Sequence, residues 1–180
     1  TMSRGQAMTD MTPILSGIVD NWAIDPSLPS GLSFAEGVIS GTPTVNMTQT
    51  MYTIWANNTG GSASHTLNLT INEPIVVLDY NPENVTMIRS NAMTALHPTV
   101  TGGNVETWAI HPTIPAGLNF ADGVLSGTPT VNMTTTTFLI YGNNSGGSSV
   151  VGIIITILEP APTITYQTDY LILTRGEAMP

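Results

Sequence analysis

Apolar and polar positions alternate in short runs along the whole chain, and Gly, Pro and Asn interrupt them at intervals of eight to twelve residues. A period of two sends successive side chains to opposite faces of an extended backbone. The runs predict strands over Val85–Ile88, Glu106–Ile110, Leu118–Phe120, Val124–Ser126, Thr136–Tyr141 and Val150–Ile157. Each gap carries turn chemistry: Pro115-Ala116-Gly117, Ala121-Asp122-Gly123, Gly127-Thr128-Pro129 and Asn143-Asn144-Ser145-Gly146-Gly147. No segment combines helical periodicity with caps, so helix content is expected to be close to nil. Many short strands at this spacing point to an all-β sandwich.

The pattern is written more than once. Residues 22–43, WAIDPSLPSGLSFAEGVISGTP, realign on residues 108–129, WAIHPTIPAGLNFADGVLSGTP, at a spacing of 86 residues. Further upstream Met2-Ser3-Arg4 through Ala7-Met8 pairs with Met87-Ile88-Arg89 through Ala92-Met93 at 85 residues, and one extra residue near Gly102-Gly103 absorbs the difference. A third copy opens at Ile164-Thr165-Tyr166, in the register of Leu78-Asp79-Tyr80. Asn72-Glu73-Pro74 and Leu158-Glu159-Pro160 punctuate the copies, since Pro cannot donate to a ladder and stiffens a linker. The division expected is a module lacking its first strand over 1–74, a complete module over 75–160, and the first strand of a following module, or a donor strand, over 161–180. That phase resembles a window cut from a longer repetitive chain.

The motif Trp-x-Ile-x-Pro-x-(Leu/Ile)-Pro-x-Gly-Leu-x-Phe-x-x-Gly-x-(Ile/Leu)-Ser-Gly-Thr-Pro-Thr stands at 22–44 and again at 108–130. An Asn-Asn-(Thr/Ser)-Gly-Gly-Ser hairpin follows at 57–62 and 143–148. In these residues the chain resembles the He-PIG family of immunoglobulin-like repeats, related to bacterial and archaeal cadherin-like domains. The resemblance implies tandem Ig-like β-sandwich modules of large prokaryotic surface proteins, and it brings no catalytic residues with it.

Composition narrows the function classes. Charged residues are 8% of the chain, against about 25% in ordinary globular proteins. Three arginines and no lysine against twelve acids leave a net charge of -9. Nucleic-acid binding and attachment to anionic lipid both need a cationic face, so neither is expected. Cysteine is absent, which removes thiolate chemistry and disulfides together. No apolar run reaches the roughly 20 residues of a spanning helix, and Thr1–Gln6 lacks the apolar stretch of a signal peptide.

Candidate chemistry is sparse. Trp22 and Trp108 share a repeat position, and a repeated in-strand Trp more often plugs a sandwich core than stacks on sugar. Trp55 aligns with Tyr141 as a cross-strand packing pair or a weak binding face. Glu73 and Glu159 at the module junctions, with Glu83 and Asp169 nearby, are candidate calcium ligands, although calcium needs six or more oxygens and no DxD cluster is present. Otherwise no cofactor is expected. The recurring Arg4 and Arg89, with Arg175, either pair with a recurring carboxylate or stay as solvated charge. His65, His97 and His111 do not recur, which argues against a metal or acid–base role. Asn46, Asn57, Asn68, Asn84, Asn132 and Asn143 head Asn-x-Ser/Thr sequons and are candidate glycosylation sites, the Asn57/Asn143 turn and the Asn46/Asn132 loop being the exposed ones.

The expectation is a non-enzymatic structural repeat of an extracellular filament, stalk or surface layer. Its partners are copies of itself, head to tail, through chain continuation or strand donation. The alternatives are an adhesin or carbohydrate-binding module for cell-surface glycans, which calcium could assist, and an accessory domain of a secreted hydrolase.

Overall fold

The computed structural model describes residues 1–166 and 175–176. Among these residues there is no helix, and the strands fall into two successive sandwiches. The first holds β1 (Met2–Ser3), β2 (Asn21–Asp25), β3 (Leu32–Ala35), β4 (Val38–Gly41), β5 (Met47–Asn58) and β6 (Gly61–Asn72). The second holds β7 (Val77–Tyr80), β8 (Asn84–Ile88), β9 (Pro98–Thr101), β10 (Thr107–His111), β11 (Leu118–Ala121), β12 (Val124–Gly127), β13 (Met133–Asn144) and β14 (Gly147–Leu158).

Each sandwich is built on a four-stranded sheet, in the order β1-β6-β5-β2 or β10-β13-β14-β8. The outer strands β1 and β8 run parallel to β6 and β14, while the other pairs are antiparallel. The hairpin β3–β4 or β11–β12 supplies the opposite layer. In the second sandwich β7 and β9 extend that layer as an antiparallel pair.

Period-two alternation is realised in the core. Phe138 and Ile140 on β13, and Ile153, Ile155 and Ile157 on β14, point inward and are almost fully buried. They meet Met87 of the adjoining strand β8, and Tyr80, Leu96 and Leu125 from the facing elements. Trp22 and Trp108 are half-buried plugs, each edge-on to a Phe of the neighbouring hairpin, Phe34 or Phe120, at centroid distances of 6.3 and 6.4 Å.

The predicted strands sit where they were expected, but the long hairpins run further. β13 and β14 extend to Asn144 and Gly147, so the loop is only Ser145-Gly146 rather than the whole Asn-Asn-Ser-Gly-Gly stretch. Asn144 Oδ1 accepts the Gly146 amide at 2.8 Å, and this side-chain turn lets the ladder continue to the tip. The shorter hairpins turn at Glu36-Gly37 and Asp122-Gly123, where both residues have positive φ. An acid recurs there beside a glycine because a two-residue hairpin loop needs left-handed backbone, which Asp tolerates better than most residues.

Candidate functional site

Two features stand out, and both lie at the ends of the sandwiches. The first is an ion pair at each sandwich's downstream end. Arg4 Nε and Nη2 donate to Glu73 Oε1 and Oε2 at 3.1 and 2.7 Å, a two-pronged fork. Arg89 Nε and Nη2 donate to a single oxygen, Glu159 Oε2, at 2.9 and 2.7 Å. The bond to Glu73, and then its negative charge, raise the Arg4 pKa above its ordinary value. The arginine thus ties the end of the outer strand to the end of its parallel neighbour.

Those pairs place the junction carboxylates on arginines of their own sandwiches. The Glu83 main-chain carbonyl accepts the Ile154 amide at 2.7 Å, and Asp169 lies outside the described residues. Among the described residues no three His, Asp or Glu side chains converge. Arg175 is an exposed turn residue.

The second feature is the seam between the sandwiches. The Glu73 main-chain amide donates to Ser145 Oγ at 2.9 Å, and Asn144 Nδ2 donates to Pro74 O at 2.8 Å. The same Asn144 nitrogen holds Asn104 O at 3.1 Å. Linker residues 73–75 therefore lie on the β13–β14 hairpin tip of the next sandwich. Glycine makes this close approach possible: a Cβ at Gly146 would meet the Glu73 carbonyl, and one at Gly103 the Pro74 carbonyl. Covered from both sides, Glu73 is the one buried charged residue among those described, 7% exposed. Glu159, which carries no such cover, keeps a side chain 52% exposed.

Among the described residues nothing covers the same tip of the first sandwich. Asn58 Nδ2 donates to Ile18 O at 2.8 Å, as Asn144 does to Asn104, and Asn58 Oδ1 accepts the Gly60 amide. Gly17 and Gly61 face open space, and near Gly60 there is only the turn's own Asn58.

Beside this tip lies an open groove of about 470 Å3, walled by Met11, Trp22, Gly37, Ile39, Ile54 and Leu67 among others. In the second sandwich the matching space is filled by β7. Leu78 packs over Gly142, and the Tyr80 hydroxyl donates to the Gly123 carbonyl. Burial there pushes the Tyr80 phenol pKa up. The walls register the difference: Leu96, Ile140 and Ile153 are 6%, 0% and 0% exposed, whereas their counterparts Met11, Ile54 and Leu67 are only partly covered. Ile14 and Leu15, in the position of β9, are exposed and pair with no strand among the described residues.

The sequons divide by position. Asn46, Asn68, Asn84 and Asn132 are exposed, whereas Asn57 and Asn143 belong to β5 and β13 and are half-buried. Asn143 Nδ2 donates to Thr107 Oγ1 at 3.3 Å. Trp55 faces Ala23 and Ser64 across its sheet. The seam was not legible as a site in the sequence, its one signal being a Gly-Gly pair recurring beside each Asn-Asn, whereas the groove lies where the first strand expected to be lacking from 1–74 would run.

Comparison with known proteins bears on the fold. The He_PIG family, described as "Putative Ig domain", matches residues 6–72. No curated protein matches the chain. Among solved structures, the N-terminal four Ig domains of Dscam1 isoform 9.44 align at 13% identity and a TM-score of 0.48, covering 87% of this chain and 42% of that one. The N-terminal eight Ig domains of DSCAM isoform 1.30.30 align at 14% identity and a TM-score of 0.48, covering 87% and 24%. The chain thus spans less than half the length of either structure.

Proposed function

We propose that this chain, an all-β Ig-like protein whose residues 6–72 are a He_PIG repeat, is a non-catalytic, load-bearing element of an extracellular filament, stalk or surface layer. The seam carries this reading. A linker that served only as a tether would be free, whereas residues 73 and 74 are hydrogen-bonded to the next sandwich through Ser145 and Asn144. Such a joint resists bending and passes tension from one long hairpin into the next.

The acid-rich, lysine-free composition fits a surface exposed to the medium rather than to nucleic acid. Among the described residues no helix is long and apolar enough to cross a membrane. A twelve-residue strand spans about 36 Å at roughly 3.3 Å per step, which sets the expected axial repeat per sandwich. Immunogold electron microscopy of producing cells tests the reading. Label along surface fibres with that repeat supports it, and label confined to the cell interior refutes it.

A further inference from the structure

We propose that the open groove of the first sandwich is a strand acceptor, and that its occupant is Thr163–Tyr166 of a second copy of this chain. The inference rests on the head-to-tail reading above and specifies the joint.

The second sandwich supplies the template. There β7 pairs antiparallel with β9, Leu78 opposite Val100, Asp79 opposite Thr99 and Tyr80 opposite Pro98. Residues 163–166, Thr-Ile-Thr-Tyr, stand 86 positions after Val77-Leu78-Asp79-Tyr80 and keep the apolar residue and the tyrosine in register. Pro13, Ile14 and Leu15 stand where Pro98, Thr99 and Val100 do. Transferred to the groove, the pairing sets Ile164 opposite Leu15, Thr165 opposite Ile14 and Tyr166 opposite Pro13. Tyr166 enters between Trp22 and Ile54 and donates its hydroxyl to the Gly37 carbonyl, as Tyr80 does to Gly123.

Both surfaces are exposed as they stand. Ile164 and Tyr166 are 79% and 83% exposed, and Ile14 is fully exposed. Burying them in one another removes apolar area from water and caps an open sheet edge. The flanking residues fit as well. Glu159-Pro160-Ala161 of the incoming copy falls on Asn58-Thr59-Gly60, where Gly17, Gly60 and Gly61 leave the clearance that Gly103 and Gly146 leave for Glu73-Pro74. Two seats, groove and tip, are thus spaced for one continuous segment.

The same copy cannot fill its own groove. β14 runs twelve residues from the seam to Leu158, about 36 Å. Glu159–Tyr166 reaches at most about 28 Å when fully extended, and so falls short even of the seam. Thr163–Tyr166 seated in this groove therefore belongs to another molecule, and repetition makes an open head-to-tail chain.

The absence of cysteine gives a clean test. The full chain carrying Ile14→Cys and Thr165→Cys, oxidised under mild conditions, is expected to run on a non-reducing denaturing gel as a ladder of dimers, trimers and larger species. Each single-cysteine variant should give no rung beyond a dimer. Sedimentation of the unsubstituted chain should show mass rising with concentration, and Ile164→Ser with Tyr166→Ser should abolish the rise. Those two substitutions lie outside both sandwiches, so folding is not at stake. A chain that stays monomeric at every concentration overturns the proposal, as does a cysteine pair that gives no ladder, or association that persists in the serine variant. Surface fibres seen by immunogold in that event would leave the filament reading standing and reject only this joint.

Discussion

The Glu73 main-chain amide and the Ser145 hydroxyl, 72 positions apart, form a 2.9 Å hydrogen bond that joins the end of one sandwich to the hairpin tip of the next. Glu73 is thereby bound on two sides, its carboxylate by Arg4 of its own sandwich and its backbone by the following one. A single residue couples the closure of one unit to the docking of another.

The seam predicts an asymmetry between equivalent glycines. Gly146→Ala sets a methyl against the Glu73 carbonyl and should force the linker off the tip, while Gly60→Ala meets only the local Asn58 side chain. In dilute solution, small-angle scattering should show a broadened distribution of interdomain distances for Gly146→Ala and an unchanged one for Gly60→Ala. Ser145→Ala should cost about 1 kcal/mol, the usual net worth of one such bond. Equal behaviour of the two glycine variants would mean that the linker does not rest on the tip.

The two repeated ion pairs should differ in worth. Arg89→Ala breaks a solvent-exposed pair and is expected to cost about 0.5 kcal/mol or less. Arg4→Ala strands a buried carboxylate, which loses its partner without regaining water, and should lower the melting temperature clearly more. Thermal unfolding of both variants at low and high salt checks the order, and only the Arg89 effect should fade with added salt.

Core truncations should separate the sandwiches. Ile140→Ala removes a fully buried side chain and should cost 2 to 5 kcal/mol, roughly the range for such cavities. Ile54→Ala, at the groove wall, should cost well under half of that while the groove is open. Urea unfolding of each variant decides it. An equal loss for both would mean that Ile54 is already covered.

Alkaline pH should weaken the second sandwich through Tyr80. Burial raises the phenol above its ordinary pKa of 10.0, because the ionised form forfeits hydration. The unfolded chain then releases its proton first as pH rises, so the stability is fully present below about pH 10 and is lost above it. The urea midpoint should fall from there upward, and Tyr80→Phe should flatten the fall. An alkaline slope that survives the substitution would assign the effect elsewhere.

If the producing cell glycosylates, occupancy should follow exposure. Asn46 and Asn132 are exposed in loops, whereas Asn143 is half-buried and bonded to Thr107. Peptide mapping by mass spectrometry should find Asn46 and Asn132 occupied ahead of Asn57 and Asn143. The reverse order would require the long hairpins to open at their tips.

Much of this architecture was readable from the chain alone, because sheets write themselves locally. Alternating Phe138-x-Ile140 and Ile153-x-Ile155-x-Ile157 declare an inward face without reference to anything distant. The Ala-Glu/Asp-Gly and Asn-Asn-x-Gly-Gly stretches declare tight turns by their backbone requirements. Self-similarity at 86 residues fixed the number of times the recipe is read, and the repeated Arg and Glu were visible as a possible pair.

What tertiary structure decided is everything that depends on two distant segments meeting. The choice of Glu73 as partner for Arg4, the burial of that carboxylate by another sandwich, and the identity of Ser145 and Asn144 as the linker's hosts span about 70 positions. The groove is subtler still, since Trp22 reads in sequence as a core plug and becomes an accessible wall because, among the described residues, no strand lies over it. Local pattern states which face of a strand prefers burial; only the assembled layers determine whether anything is there to bury it.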